Sequence, residues 1–224
     1  DGELEVTPVA IVRIESVDSA NIEISGVGTA AGDDTLEINT RGLADEVKVS
    51  SVLAGLETTI DTGIGSDVIT VGSDATGLNG IASKLNIDGN DPTSGSDYLY
   101  IDDSADDVPD VYTLKPDNVS SNDLAPGGID YANVEHLIVT LGGKDDTLTI
   151  VDTPPGETTV NGFGGDDVIN VKKITGLTTV NGGDDDDTIN VGSNAAGDTT
   201  MRNNTTDGNL AGIGAQCASL GLAE

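Results

Sequence analysis

Apolar and polar residues alternate in short runs along this chain, and the runs repeat. Asp34-Thr35-Leu36-Glu37-Ile38 has the form Asp-x-aliphatic-x-aliphatic, as do the five-residue units that begin at Asp67, Asp97, Asp146, Asp167 and Asp187. A period of two is the mark of a β-strand with one face buried. The pattern therefore sends Leu36, Ile69, Leu99, Leu148, Ile169 and Ile189 inward, with Ile38, Val71, Ile101, Ile150, Val171 and Val191 beside them. Glu37, Thr70, Tyr100, Thr149, Asn170 and Asn190 fall on the outward face.

The spacing of the runs adds the architecture. Thr158-Thr159-Val160-Asn161-Gly162 recurs at Thr178 to Gly182, and the unit at Asp167 recurs at Asp187, both at an offset of 20 residues. About 20 residues hold two short strands and two turns. Each such coil has an apolar face that only a neighbouring coil can cover. The expected fold is all-β: a parallel β-solenoid, β-helix or β-roll-like, with coils of about 20 residues stacked at roughly 4.8 Å. Asn170 over Asn190 is expected to form an amide ladder on its surface.

A longer repeat is visible as well. Asp33 to Leu36 matches Asp145 to Leu148 at an offset of 112, and Glu57 to Ile60 matches Glu157 to Val160 at 100, so Asp45 to Val49 reads as an additional short strand in the first copy. The chain divides into residues 1–19, a lead-in strand or continuation of a longer chain; 20–127, a first solenoid module; 128–197, a second; and 198–224, an irregular cap or truncated next coil. Residues 102–130, rich in Asp, Ser, Asn and Pro, read as a long loop or excursion that need not interrupt the stack.

Composition narrows the possibilities. Aromatic residues make up 2%, so the core must be Val, Ile, Leu and Ala, while 30 glycines at regular places argue for tight turns. A formal net charge of −31 repels phosphate backbones and anionic lipid. No run approaches the roughly 18 apolar residues that span a bilayer. Neither nucleic-acid binding nor membrane insertion is expected. Among the 40 acidic residues, 30 are Asp, a bias toward the short side chain that folds back on turn backbone and serves calcium sites. Cys217 is the only cysteine and reads as a small apolar filler.

A Gly/Asp turn precedes most of these strands: Gly162-Phe163-Gly164-Gly165-Asp166-Asp167, Gly182 to Asp187, Gly142 to Asp146, Gly63 to Asp67 and Gly32 to Asp34. These turns resemble the calcium-binding repeats of RTX, or haemolysin-type, proteins, with consensus G-G-x-G-x-D-x-U-x. They are also similar to the Gly-Asp-Asp-Thr repeats of large bacterial surface proteins and adhesins. The resemblance implies ions held between successive turns by aspartates and backbone carbonyls. Its consensus aspartate falls at Asp34, Asp67, Asp97, Asp146, Asp167 and Asp187. Phe163 takes the place of the second glycine, and Lys144 and Asp185 that of the last. With one such turn per coil, a single side of the roll is expected to carry ions.

Electrostatics points the same way. Stacked in register, Asp145, Asp146, Asp166, Asp167, Asp186 and Asp187 make a column of carboxylates. Unit charges about 5 Å apart repel by about 0.8 kcal/mol in water and about 3 kcal/mol at an effective dielectric near 20. Calcium, which accepts six to eight oxygen ligands in flexible geometry, relieves this; turn capping with mobile counter-ions is the plainer alternative. A catalytic reading has little to rest on: His136 is the only histidine, and the paired aspartates recur where a catalytic pair would occur once. The expectation is a non-enzymatic, calcium-binding structural segment of an extracellular or cell-surface protein, an adhesin, surface layer or fibre. It would continue into a larger chain or associate end to end. The alternative is a polysaccharide-acting β-helix enzyme or its calcium-binding accessory module.

Overall fold

The computed structural model describes residues 34–90 and 95–192, and the backbone of two further strands at 11–15 and 217–221. The strands are β1 (Ile11–Glu15), β2 (Asp34–Asn39), β3 (Glu46–Val49), β4 (Leu56–Asp61), β5 (Val68–Val71), β6 (Leu85–Asp88), β7 (Tyr98–Asp102), β8 (Val111–Lys115), β9 (Asn118–Ser120), β10 (Ile129–Ala132), β11 (His136–Thr140), β12 (Thr147–Ile150), β13 (Glu157–Asn161), β14 (Val168–Val171), β15 (Thr178–Asn181), β16 (Thr188–Val191) and β17 (Cys217–Gly221). They form two sheets. The larger has the order β1-β2-β4-β6-β10-β9-β8-β12-β14-β16, and the smaller β3-β5-β7-β11-β13-β15-β17. From β2 onward the chain crosses between the sheets at every connection except those of β8, β9 and β10. All pairings are parallel apart from the two made by β9. The protein is thus all-β with parallel strands, an arrangement compatible with a solenoid, and the larger sheet is mixed.

The period-two pattern accounts for the interior. Leu148, Ile169 and Ile189 stand in register on β12, β14 and β16, and Ile69, Leu99 and Leu137 on β5, β7 and β11. Leu36, Ile69, Leu99, Leu148, Ile169, Val71, Ile101, Ile150 and Val171 are buried, with Ile38, Ile189 and Val191 partly buried against the core. Each fully buried Leu or Ile contributes about 1.5–3 kcal/mol of transfer free energy. Outward Asn170 departs from expectation: it is buried between its register neighbours Thr149 and Asn190. The Asn190 amide donates to Asn170 Oδ1 at 3.0 Å, the expected amide ladder. Two tyrosines enter the core because their hydroxyls find acceptors, Tyr112 at Asp103 Oδ2 and Tyr131 at the Lys115 carbonyl.

The expected strand at Asp45 to Val49 is β3. Residues 102–130 are not a loop but contain β8, β9 and the start of β10, a meander that inserts antiparallel β9 into the larger sheet. Its polar composition serves cross-links: the Asn118 amide donates to the Gly127 carbonyl at 2.8 Å and to Asp130 Oδ1 at 2.7 Å. The 127/128 division falls in the β9–β10 turn, where both glycines have positive φ. The Asp-x-aliphatic pattern is spread over both sheets, and Asp34 opens β2 of the larger one. Asp67 and Asp97 precede strands of the smaller sheet, whereas Asp146, Asp167 and Asp187 precede strands of the larger. Likewise Glu57 to Ile60 lies on β4 of the larger sheet and its match Glu157 to Val160 on β13 of the smaller. Cys217 lies on β17; most of 1–33 and 193–224, including the expected C-terminal cap, fall outside the described residues.

Glycine is required where turns stack. A Cβ on Gly162 would lie 1.7 Å from the Gly182 carbonyl oxygen and 2.4 Å from Asp167 Oδ2, and one on Gly182 would lie 2.1 Å from Asp187 Oδ2. Gly164, in the same turn, has nothing within 4 Å of its Cβ position. Gly162→Ala is expected to destabilise by about 3 kcal/mol or more, lowering Tm by roughly 6–12 °C, while Gly164→Ala stays within about 1 kcal/mol of the parent. Thermal denaturation of the two variants side by side checks this.

Candidate metal centre

Each strand that follows an acidic residue is joined to the next level by that residue's backbone and by the next level's side chain. Leading into the smaller sheet, the amide of Asp45 donates to Asp67 Oδ1, that of Asp67 to Asp97 Oδ1 and that of Asp97 to Glu135 Oε2, each at 2.8 Å. Leading into the larger sheet, the amide of Asp110 donates to Asp146 Oδ1 at 2.7 Å, that of Asp146 to Asp167 Oδ1 at 2.8 Å and that of Asp167 to Asp187 Oδ1 at 3.1 Å. The carbonyls of the same residues accept from the first strand residue one level on, as Asp146 does from Val168 and Asp167 from Thr188. The carboxylate thus extends the parallel ladder by one rung beyond the strand.

A second ladder of opposite polarity runs outside the first. The amide of Asp166 donates to Asp145 Oδ1, and that of Asp186 to Asp166 Oδ1, both at 3.0 Å. In each Asp-Asp pair the inner carboxylate reaches back to the preceding level and the outer one reaches forward. Asp145, Asp166 and Asp186 are exposed; Asp146 and Asp167 are buried and Asp187 is half-buried. All six predicted residues of the C-terminal column are therefore stacked as expected, and five of them, Asp145, Asp146, Asp166, Asp167 and Asp187, hold a backbone amide on Oδ1. Asp67 and Asp97 belong to the ladder on the opposite edge, so the Gly/Asp turns occupy two sides rather than one. The side chain of Asp34 lies outside the described residues.

Three ladder members were missed by the sequence pattern: Asp45, Asp110 and Glu135. Asp45-x-Val-x-Val fits it directly, and Asp110-x-Tyr-x-Leu and Glu135-x-Leu-x-Val fit once Tyr is admitted as an inward residue and Glu as the acid. Asp110 matters most, because β8, which follows it, pairs on its other side with antiparallel β9. No parallel level stands there to offer a turn amide. Its carboxylate turns instead to Asn122, whose amide donates to Oδ1 at 2.5 Å, and to the Tyr112 hydroxyl, 3.5 Å from Oδ2.

There it meets two more buried acids. Asp103, Asp106 and Asp110 are 0%, 5% and 2% exposed, and their ligand oxygens all lie within 4.8 Å of one another. Among the described residues this is the group of three acidic side chains with the geometry to hold a metal ion. Asp103 accepts from the Leu78 amide and the Tyr112 hydroxyl, both at 2.7 Å, and Asp106 from the Val108 amide and the Asn79 side chain, both at 2.9 Å. Half-buried Asp123 contacts the carboxyls of both Asp106 and Asp110.

Burial dominates the electrostatics of the ladders and the cluster. Desolvation pushes Asp97 and Asp146 up to about 6 and Asp167 up to about 7, against the pull of the backbone amides they accept. Asp110 is also pushed up to about 7, by desolvation and then by the charge of Asp123. Desolvation raises Asp67, Asp103 and Asp123 too. The neighbouring charges that act on these groups are all acidic. Furthermore, Oδ2 of Asp45, Asp67, Asp167 and Asp187 is buried with no hydrogen-bond partner. Such a site favours a proton or a cation.

No protein-family model, curated protein or solved structure matches the chain. His136 stacks on Tyr98 with ring centroids 4.2 Å apart, and its Nδ1 lies 3.2 Å from Glu157 Oε2.

Raised folded-state carboxyl pKa values fix the sign of a pH effect. Between the unfolded value near 4 and the folded values near 6–7, the native state holds protons that the unfolded chain has released. Stability is thus greatest below the unfolded pKa and is lost as pH rises through the folded one. In a chelator, Tm is expected to fall by roughly 10 °C from about pH 5 to about pH 8. Calorimetry across that range checks it; a flat or rising profile contradicts protonated ladders.

Proposed function

We propose that this chain is a calcium-stiffened β-solenoid segment, non-enzymatic, from an extracellular or cell-surface protein such as an adhesin, surface layer or fibre. The observation that carries the reading is the convergence of buried Asp103, Asp106 and Asp110, with only acidic charges acting on Asp103 and Asp110. Three carboxylates supply hard oxygen ligands, half-buried Asp123 stands beside them, and calcium tolerates the irregular geometry that Mg²⁺ does not. The Gly/Asp turns support the same reading in a weaker way. Their stacked outer carboxylates, Asp145, Asp166 and Asp186, suit loosely held cations of the kind implied by the RTX resemblance. A rod that continues into a larger chain, or meets a second copy end to end, accords with strands stacked along one axis.

Calcium at millimolar concentration and about pH 8 is expected to raise Tm by roughly 5–10 °C, with a smaller effect of Mg²⁺. Asp106→Asn combined with Asp110→Asn removes the shift, whereas Asp145→Asn combined with Asp166→Asn leaves most of it. No calcium shift in the parent chain, or one that survives Asp106→Asn/Asp110→Asn, sinks the assignment of the site.

A further inference from the structure

On the outer face of the smaller sheet, Thr140, Asn161 and Asn181 end β11, β13 and β15 and stand in one cross-strand column. Val139, Val160 and Val180 just before them are buried, which fixes these three as outward. The other described asparagines engage their side chains in hydrogen bonds, as Asn118, Asn122 and Asn190 do. The amides of Asn161 and Asn181 make none among the described residues. They are half-buried and exposed, respectively, and free to meet a ligand.

Phe163 stands beside this column. Its φ is 80°, a left-handed conformation that an aromatic residue rarely adopts, and its side chain is 50% exposed. One turn on, the equivalent position is Gly183, with φ of 116°. The structure thus keeps a strained aromatic residue where glycine serves in the next turn, and the ring gains little burial in return. Strain held without a packing benefit is a pointer to function. Phe163, Thr140, Asn161, Asn181, Gly183 and Asp184 line one groove of about 450 Å³.

The chemistry of that groove is specific. A phenyl ring offers a surface for the C–H face of a sugar, and two unengaged amides each offer a donor and an acceptor. Neighbouring strands place them roughly 4.8 Å apart, about the span of hydroxyls across one pyranose ring. Asp184 accepts from hydroxyls and, in a chain of net charge −31, disfavours uronic acids, sulfated sugars and phosphates. We propose that this groove binds one neutral hexopyranose unit. The proposal does not rest on the cation at Asp103, Asp106 and Asp110.

Nuclear magnetic resonance of the isotopically labelled intact chain, titrated with glucose, galactose, mannose and glucuronate at tens of millimolar, tests it. At least one neutral hexose is expected to shift the side-chain amides of Asn161 and Asn181 and the ring of Phe163, with roughly millimolar affinity. Phe163→Gly, which relaxes the left-handed position and so keeps the fold, weakens that binding by roughly tenfold, as does Asn181→Ala on the exposed strand end. Glucuronate leaves the same signals unmoved. The proposal is overturned if no neutral hexose moves these resonances, if binding survives Phe163→Gly unchanged, or if glucuronate binds as well as the neutral sugars.

Discussion

A parallel strand pair ends in a backbone amide that points at the next level after the partner strand's carbonyls have run out. This chain fills that position with a carboxylate from the next level. The residue must be short enough to fold back on the backbone beside it, which selects Asp over Glu wherever the levels stack closely. Its second oxygen then occupies the space where the turn's glycine would carry a side chain: Gly162 against Asp167, and Gly182 against Asp187. Glycine and aspartate content are therefore two sides of one packing constraint. Tighter turns need the glycine because they need the carboxylate.

The same constraint makes the interior acidic without making it basic. Backbone amides satisfy the first oxygen of each inner aspartate, and burial disfavours charge on the second. The ladder can tolerate this while the next level supplies an amide. Where the meander places antiparallel β9 beside β8, that supply stops, and Asp110 is left to face Asp103 and Asp106. The acidic cluster is thus a termination defect of the ladder. It gathers negative charge at one place in the stack for a topological reason.

Strand positions, inward columns and the Asn170–Asn190 ladder were legible because period two and the 20-residue offset act locally and repeat. The edges on which the acids sit were not legible. A sequence match such as Glu57 to Ile60 with Glu157 to Val160 carries no label for the sheet, and each half-level shift inverts the assignment. Residues 102–130 were misread as loop because Asp, Asn and Ser, which commonly mark turns, here bond across strands and gather in the cluster. Asp103 and Asp106 belong to no repeat, so periodicity could not find them; only the folded turn brings them to Asp110. Ladder members Asp110 and Glu135 were hidden by a tyrosine in the core and by a longer acid across a 38-residue step.

The half-level shift also changes the electrostatics of the whole stack. Had every Asp-x-aliphatic strand lain in one sheet, all inner carboxylates would share one edge, each about 5 Å from the next. Distribution of these strands over the two sheets instead puts Asp67 and Asp97 on one edge and Asp146, Asp167 and Asp187 on the other. A five-residue strand separates those edges by about 17 Å, beyond the roughly 8 Å screening length at physiological salt. The two columns therefore repel within themselves and hardly at all across the sheet. Splitting the column lets the chain carry more stacked aspartates than a single edge would tolerate, and the three buried acids Asp103, Asp106 and Asp110 gather at the end of the Asp146 column.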